Sequence, residues 1–181
     1  MKSATDFFPL ASLPAALLAA AVSGCAVPSI EPPTTEVPLM TVAAYGVQIY
    51  ACRAAPGAAP SWSFVAPEAE LFDADGRRSG HHGAGPLWLH EDGSGFAGTV
   101  RASVQSPRPR AIPWLLLTAR PQGQQGTFAR VSSVQRLATV GGQAPHFGCS
   151  LATLGTQVRM AYRADYVLYV PRVEGRAART D

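Results

Sequence analysis

The residues best equipped for chemistry crowd into one glycine-rich stretch, HHGAGPLWLHEDGSG, which runs from His81 and His82 through Trp88, His90, Glu91 and Asp92 to Ser94; His146 stands far downstream. A metal site needs imidazole, thiolate or carboxylate donors converging within about 2 Å of one ion. His82, His90 and His146, with Glu91 and Asp92 beside them, are the set from which a zinc or copper centre, and hence a metal-dependent enzyme, could be assembled. Neighbouring His81 and His82 on a strand would face opposite ways, so at most one of them joins a strand-built site. No HxH or HExxH spacing supports such a site, and turn or surface histidines are the competing reading.

Other reactive patterns fail on context. Ser94 in DGSGF lacks the first glycine of GxSxG and belongs to a hairpin, where a strand-to-helix elbow is required. GSGFAG at 93–98 satisfies GxGxxG, yet a strand-like TVRASV follows where a dinucleotide fold needs a helix, and no acid occurs again before Asp165. Glu68 and Glu70 share a strand face and read as solvated. Lys2 is the single lysine, so beyond the leader Schiff-base, P-loop and SxxK chemistries have no nucleophile or phosphate ligand. No catalytic residue and no cofactor are expected.

Charge is distributed unevenly. From Cys25 to Asp92 there are eight acids and three arginines, whereas from Gly93 to Ala164 there are eight arginines and no acid. Arg101, Arg108, Arg110, Arg120, Arg130, Arg136, Arg159 and Arg163 would then form an anion-attracting face, or they scatter over the domain and pair with its acidic half. Arg101, Arg108 and Arg110 with Trp88 and Trp114 are the candidate ligand-binding set. Aromatic residues do not interleave with the arginines as an RNA platform requires, so nucleic acid is not expected; an anionic envelope polymer or a protein partner suits the charge better. Trp62, Trp88 and Trp114 are evenly spaced, but their flanks do not align and no repeat is present.

Residues 1–24 carry Lys2 and an apolar stretch from Pro9 to Val22, too short and too proline-broken to span a membrane, and read as a secretory leader. Val22, Ser23 and Gly24 precede Cys25, an arrangement that resembles the bacterial lipobox, in which the cysteine thiol receives lipid. Several acyl chains at Cys25 would anchor the protein to a membrane without a spanning helix. Ala26 in place of Asp resembles outer-membrane sorting, so the expected location is lipid-anchored, facing the periplasm; ordinary secretion with an incidental Cys25 remains the alternative. VPSIEPPTTEVP then reads as a proline-rich tether within residues 25–40, ahead of a domain over 41–172 and a polar tail at 173–181.

The elements that must position these residues are strands. Val158, Met160, Tyr162, Ala164, Tyr166, Leu168 and Val170 alternate with Gln157, Arg159, Ala161, Arg163, Asp165, Val167 and Tyr169, predicting one long strand with a buried face. YGVQIYAC alternates likewise, SWSFVAPEAELFD reads as strand broken at Pro67, and DADGRRSG and EDGSG supply turns. IPWLLLTA suits a strand covered on both faces, and TFARVSSVQRLATV is read as strand although Phe128, Val131 and Val134 recur three apart. Seven or so short strands predict an all-β domain, a single antiparallel β-sandwich or a small β-barrel. In an oxidising compartment Cys52 and Cys149 would pair; two buried thiols, or thiolate ligands assisted by His146, are the alternatives.

Taken together, GVQIYACR, PEAELFD after Trp62, SGHHGAGPLW with its EDGSG turn, AIPWLLL, VQRLATVGGQAP with Cys149, and AYRADYVLYV resemble the domain-of-unknown-function family numbered 3455, found in secreted bacterial and fungal proteins. The resemblance spans roughly residues 45 to 170. It implies a single secreted domain and transfers no catalytic residue.

Overall fold

The computed structural model describes residues 29–123 and 125–173; Cys25 and the leader lie outside them. The chain forms eight strands, β1 (Glu36–Arg53), β2 (Ser61–Phe72), β3 (Arg78–Gly83), β4 (Leu87–His90), β5 (Gly95–Val104), β6 (Trp114–Gln122), β7 (Ser133–Gly141) and β8 (Gln157–Pro171), with a 3-10 turn at Leu151–Thr153. Each strand pairs antiparallel with the next, and β8 returns to β1, closing an up-and-down barrel. Of the two architectures expected from the sequence, the barrel is the one formed. Closure through the long β1–β8 register, Glu36 opposite Pro171 to Ala51 opposite Gln157, leaves neither terminal strand as a free edge.

Because strands alternate direction, the β1–β2, β3–β4, β5–β6 and β7–β8 connections gather at one end, the upper end, and the others at the lower end. Strand periodicity puts every second side chain inside. Val42 and Ala44 on β1, Leu71 on β2, Trp88 on β4, Phe96 on β5, and Tyr162, Ala164, Tyr166 and Leu168 on β8 make the core.

The lower end is plugged. Phe128 and Val131, both fully buried, enter it from the β6–β7 connection, which explains their spacing of three: this part of TFARVSSVQRLATV is an inward-folded loop, and the strand begins only at Ser133. The Asp92 carboxylate holds that loop, accepting from the backbone N–H and hydroxyl of Thr127 (2.8 and 2.7 Å) and from those of Ser94 (2.9 and 2.5 Å). Ser94 Oγ in turn accepts from the Phe128 N–H at 2.9 Å. These donors hold the Asp92 carboxyl far below the usual carboxylate range, the Ser94 hydroxyl contributing most.

Two other differences from the sequence reading are local, and one expectation holds: IPWLLLTA is covered on both faces. β1 starts at Glu36, within the stretch read as tether, because residues 36–40 find a partner in the end of β8. Pro67 does not break β2; it sits where β2 has β1 on one side only, so its missing N–H costs no ladder bond, and the irregularity falls nearby between Ile49 and Tyr50. The outer face of β6 and β7 is covered near Leu116 and Gln135, both buried, where the Gln135 amide donates to the Ile30 carbonyl at 2.6 Å and accepts from the Tyr169 hydroxyl at 2.5 Å.

Candidate ligand-binding cavity

The β3–β4 hairpin is short, and this shapes the site. β2 meets β3 only over Ala69–Phe72, and β4 meets β5 only over Gly95–Ala97. Above the Gly83–Leu87 turn, the first half of β2 pairs with β1 alone and the second half of β5 pairs with β6 alone. The wall is therefore interrupted between upper β2 and upper β5, and exposed Phe64, Val65 and Val100 flank the interruption.

Behind this window lies a cavity of about 140 Å3. Pro67, Leu115 and Leu117 supply apolar walls, Gly85 and Pro86 the sill, and Gln48, His82, Trp88, Arg136 and Tyr166 the polar and aromatic lining. The volume is close to that of an engineered apolar cavity, about 150 Å3, that accepts benzene.

An aromatic tier forms one wall. The His82 ring stacks on Trp88, Trp88 lies parallel to Phe96 at 5.1 Å, and Tyr166 meets both His82 and Trp88 edge-on at 5.4 Å. Gly98 permits this packing: a Cβ there would stand 2.7 Å from the Trp88 ring and 3.1 Å from Leu117.

The polar atoms of the interior are short of partners. Gln48 Nε2, Trp88 Nε1, Tyr162 Oη and Tyr166 Oη are buried with no hydrogen bond. Tyr162 and Tyr166 lie close enough to each other, and to Gln48 and Arg136 respectively, to influence ionisation, yet no pair reaches hydrogen-bond geometry. His82 Nδ1 is 3.0 Å from the Leu87 carbonyl oxygen, which only accepts, so Nδ1 carries the hydrogen and Nε2 is the acceptor. Burial pushes the His82 imidazole down to about 3, against the pull of that bond, and the ring is neutral at physiological pH.

Arg136 is half-buried and has no carboxylate partner among the described residues. Its Nε and Nη2 donate to the Pro113 carbonyl oxygen at 3.0 and 2.8 Å, which fixes the guanidinium and leaves Nη1 unused. Desolvation raises the Tyr50, Tyr162 and Tyr166 phenols above the ordinary tyrosine value, and the Arg136 charge works against that rise in all three.

The sequence-predicted residues divide. Trp88 is at the centre of the cavity wall, and Trp114, partly buried, holds an indole nitrogen without a partner. Arg101, Arg108 and Arg110 are exposed, on β5 and on the β5–β6 connection at the upper end, outside the cavity. Arg159 pairs with Glu68 at 2.6 Å, so the arginine-rich segment is partly matched by the acidic half. His82 is inside the barrel, His90 packs on Phe128 beside the lower-end turn, and His146 is exposed at the upper end; the structure does not bring the three together. Among the described residues no three His, Cys, Asp or Glu side chains are arranged to hold a metal ion. Cys52 and Cys149 are joined in a disulfide that ties the end of β1 to the β7–β8 connection.

Sequence reasoning missed Gln48 and Tyr166 as cavity groups and counted Arg136 with the surface arginines. Alternation carried a signal in each case, since Gln48 shares a face with Tyr50, and Arg136 with Val134.

A family model described as a protein of unknown function (DUF3455) matches residues 32–170. Neither the comparison with curated proteins nor that with solved structures gives a match.

Proposed function

The chain belongs to that family of unknown function, and on this premise we propose that it is a non-enzymatic binding module which houses a small, mainly apolar molecule inside its barrel. The observation that carries this reading is the windowed cavity of about 140 Å3, walled by Pro67, Leu115, Leu117 and the His82–Trp88 stack. An enclosed apolar space with a few convergent polar groups is the usual form of a small-molecule site. The neutral His82 and the absence of a carboxylate from the lining favour retention over turnover, since a general acid or base needs a group that titrates near the working pH.

The module would work in the cell envelope, with Cys25 lipidated and the residues between it and Ile30 as spacer. The described chain enters β1 at the plugged lower end, so an anchor there would leave the window between upper β2 and upper β5 unobstructed. Exposed Arg108 and Arg110 at the upper end would face an anionic envelope polymer.

The direct test is titration of the full-length protein with toluene, a neutral probe of the right size, followed by tryptophan fluorescence. Saturable quenching in the wild type, lost when Leu117→Trp fills the cavity of a folded protein, is the expected result. A linear, non-saturating response would overturn the reading. Intact mass of the membrane-extracted protein tests the anchor: a chain starting at Cys25 with acyl additions is expected, and an unacylated chain would remove it.

A further inference from the structure

The polar groups of the cavity are unequal in kind, and their chemistry specifies one end of the ligand. Arg136 is a donor only and keeps Nη1 unused, while Trp88 Nε1, Gln48 Nε2 and Tyr166 Oη are buried behind the lining without partners. Against it the lining offers two neutral side-chain acceptors without a hydrogen bond, Nε2 of His82 and the Gln48 carbonyl oxygen, and no anionic one. The lining contains one positive charge and no negative one. A half-buried guanidinium without a counter-charge is an electrostatic deficit that an anionic acceptor would fill.

Resting on the binding reading above, we propose that the cavity takes a small monocarboxylate with an apolar body about one ring in size, its carboxylate on Arg136 and its body against the His82–Trp88 stack and Leu117. The division of the site supports this orientation. The Pro113 carbonyl already occupies one edge of the guanidinium, holding it in place so that little side-chain freedom is lost on binding. The guanidinium edge not held by Pro113, carrying Nη1 and the second hydrogen of Nη2, offers two donors to a carboxylate. The lining holds no carboxylate to pair with an ammonium, which disfavours zwitterions such as free amino acids.

Three probes of nearly equal size separate the possibilities: benzoate, benzyl alcohol and benzylamine, each titrated calorimetrically into the full-length protein at pH 7. Benzoate should bind at least 10-fold more tightly than benzyl alcohol, and benzylamine should give no saturable heat. Arg136→Gln should bring benzoate down to the affinity of benzyl alcohol while moving benzyl alcohol itself less than 2-fold, and Arg136→Lys should restore part of the preference. If Arg136→Gln fails to fold, Arg136→Met replaces it, with the same loss of preference expected for benzoate. Equal affinities for benzoate and benzyl alcohol in the wild type would overturn the carboxylate assignment and leave the binding reading standing. No binding by any of the three, together with no saturable response to toluene, would remove both.

Discussion

The imidazole of His82 lies flat on the indole of Trp88, with ring centroids 3.8 Å apart and 13° between the planes. This contact holds a titratable ring buried inside the barrel. The native imidazole is pushed down to about 3 from an ordinary value of 6.5, whereas the unfolded chain takes up the proton near the ordinary value. The unfolded state therefore binds more protons between these limits. The stability due to the neutral ring is complete above pH 6.5 and is lost progressively as pH falls toward 3. Denaturant melts at pH 7, 5.5 and 4.5 should show wild-type stability declining by up to about 1.4 kcal/mol per pH unit more than that of His82→Leu. Parallel slopes for the two proteins would contradict the burial of a neutral His82.

The Cys52–Cys149 bridge spans 97 residues and fixes the long β7–β8 connection to the end of β1. A ring of that size restricts the unfolded chain strongly, worth on the order of 4 kcal/mol in the chain-entropy account. Cys149→Ser should lower the unfolding free energy by that order, and reductant should do the same to the wild type while leaving the variant unchanged. A loss below about 1 kcal/mol would show that β1–β8 pairing holds this end unaided.

Gly98 is the contact on which the cavity wall turns. Its backbone faces the Trp88 ring, and a methyl group at 2.7 Å would force a rigid, fully buried side chain to move. Gly98→Ala should destabilise the barrel by about 1–3 kcal/mol through overpacking and shift the Trp88 indole toward the cavity. The readout is a changed tryptophan emission together with weaker toluene binding. Unchanged emission and stability would mean that the wall yields more easily than the packing implies.

How much of this could be read from the chain itself depends on how local each determinant is. The inward face of β8 follows from strict alternation, and the DADG and EDGSG turns from their own chemistry, and each appears where expected. The same alternation puts Arg136 in phase with buried Val134, but a single inward arginine resembles a surface arginine unless the strand's phase is known. The window is less legible still. It arises because β3 and β4 are short relative to β2 and β5, and strand length becomes an opening only once neighbours and register are known. The orphaned indole and phenol groups are a property of three-dimensional placement: Tyr162, Tyr166 and Trp88 were recognisable as core residues, while the absence of partners for their polar atoms was not. The loop bearing Phe128 and Val131 was mistaken for strand because both residues are buried from a loop, a use of apolar side chains that periodicity cannot distinguish from an element.

The measurement that tests the central claim most directly is isotope-filtered NMR of the full-length protein saturated with toluene, which locates the ligand by through-space contacts. Contacts from the toluene protons to the His82 and Trp88 rings and to the Leu117 methyls are predicted. Contacts confined to the exposed upper-end residues Phe147 and Leu151, or none at all, would contradict a ligand site within the barrel.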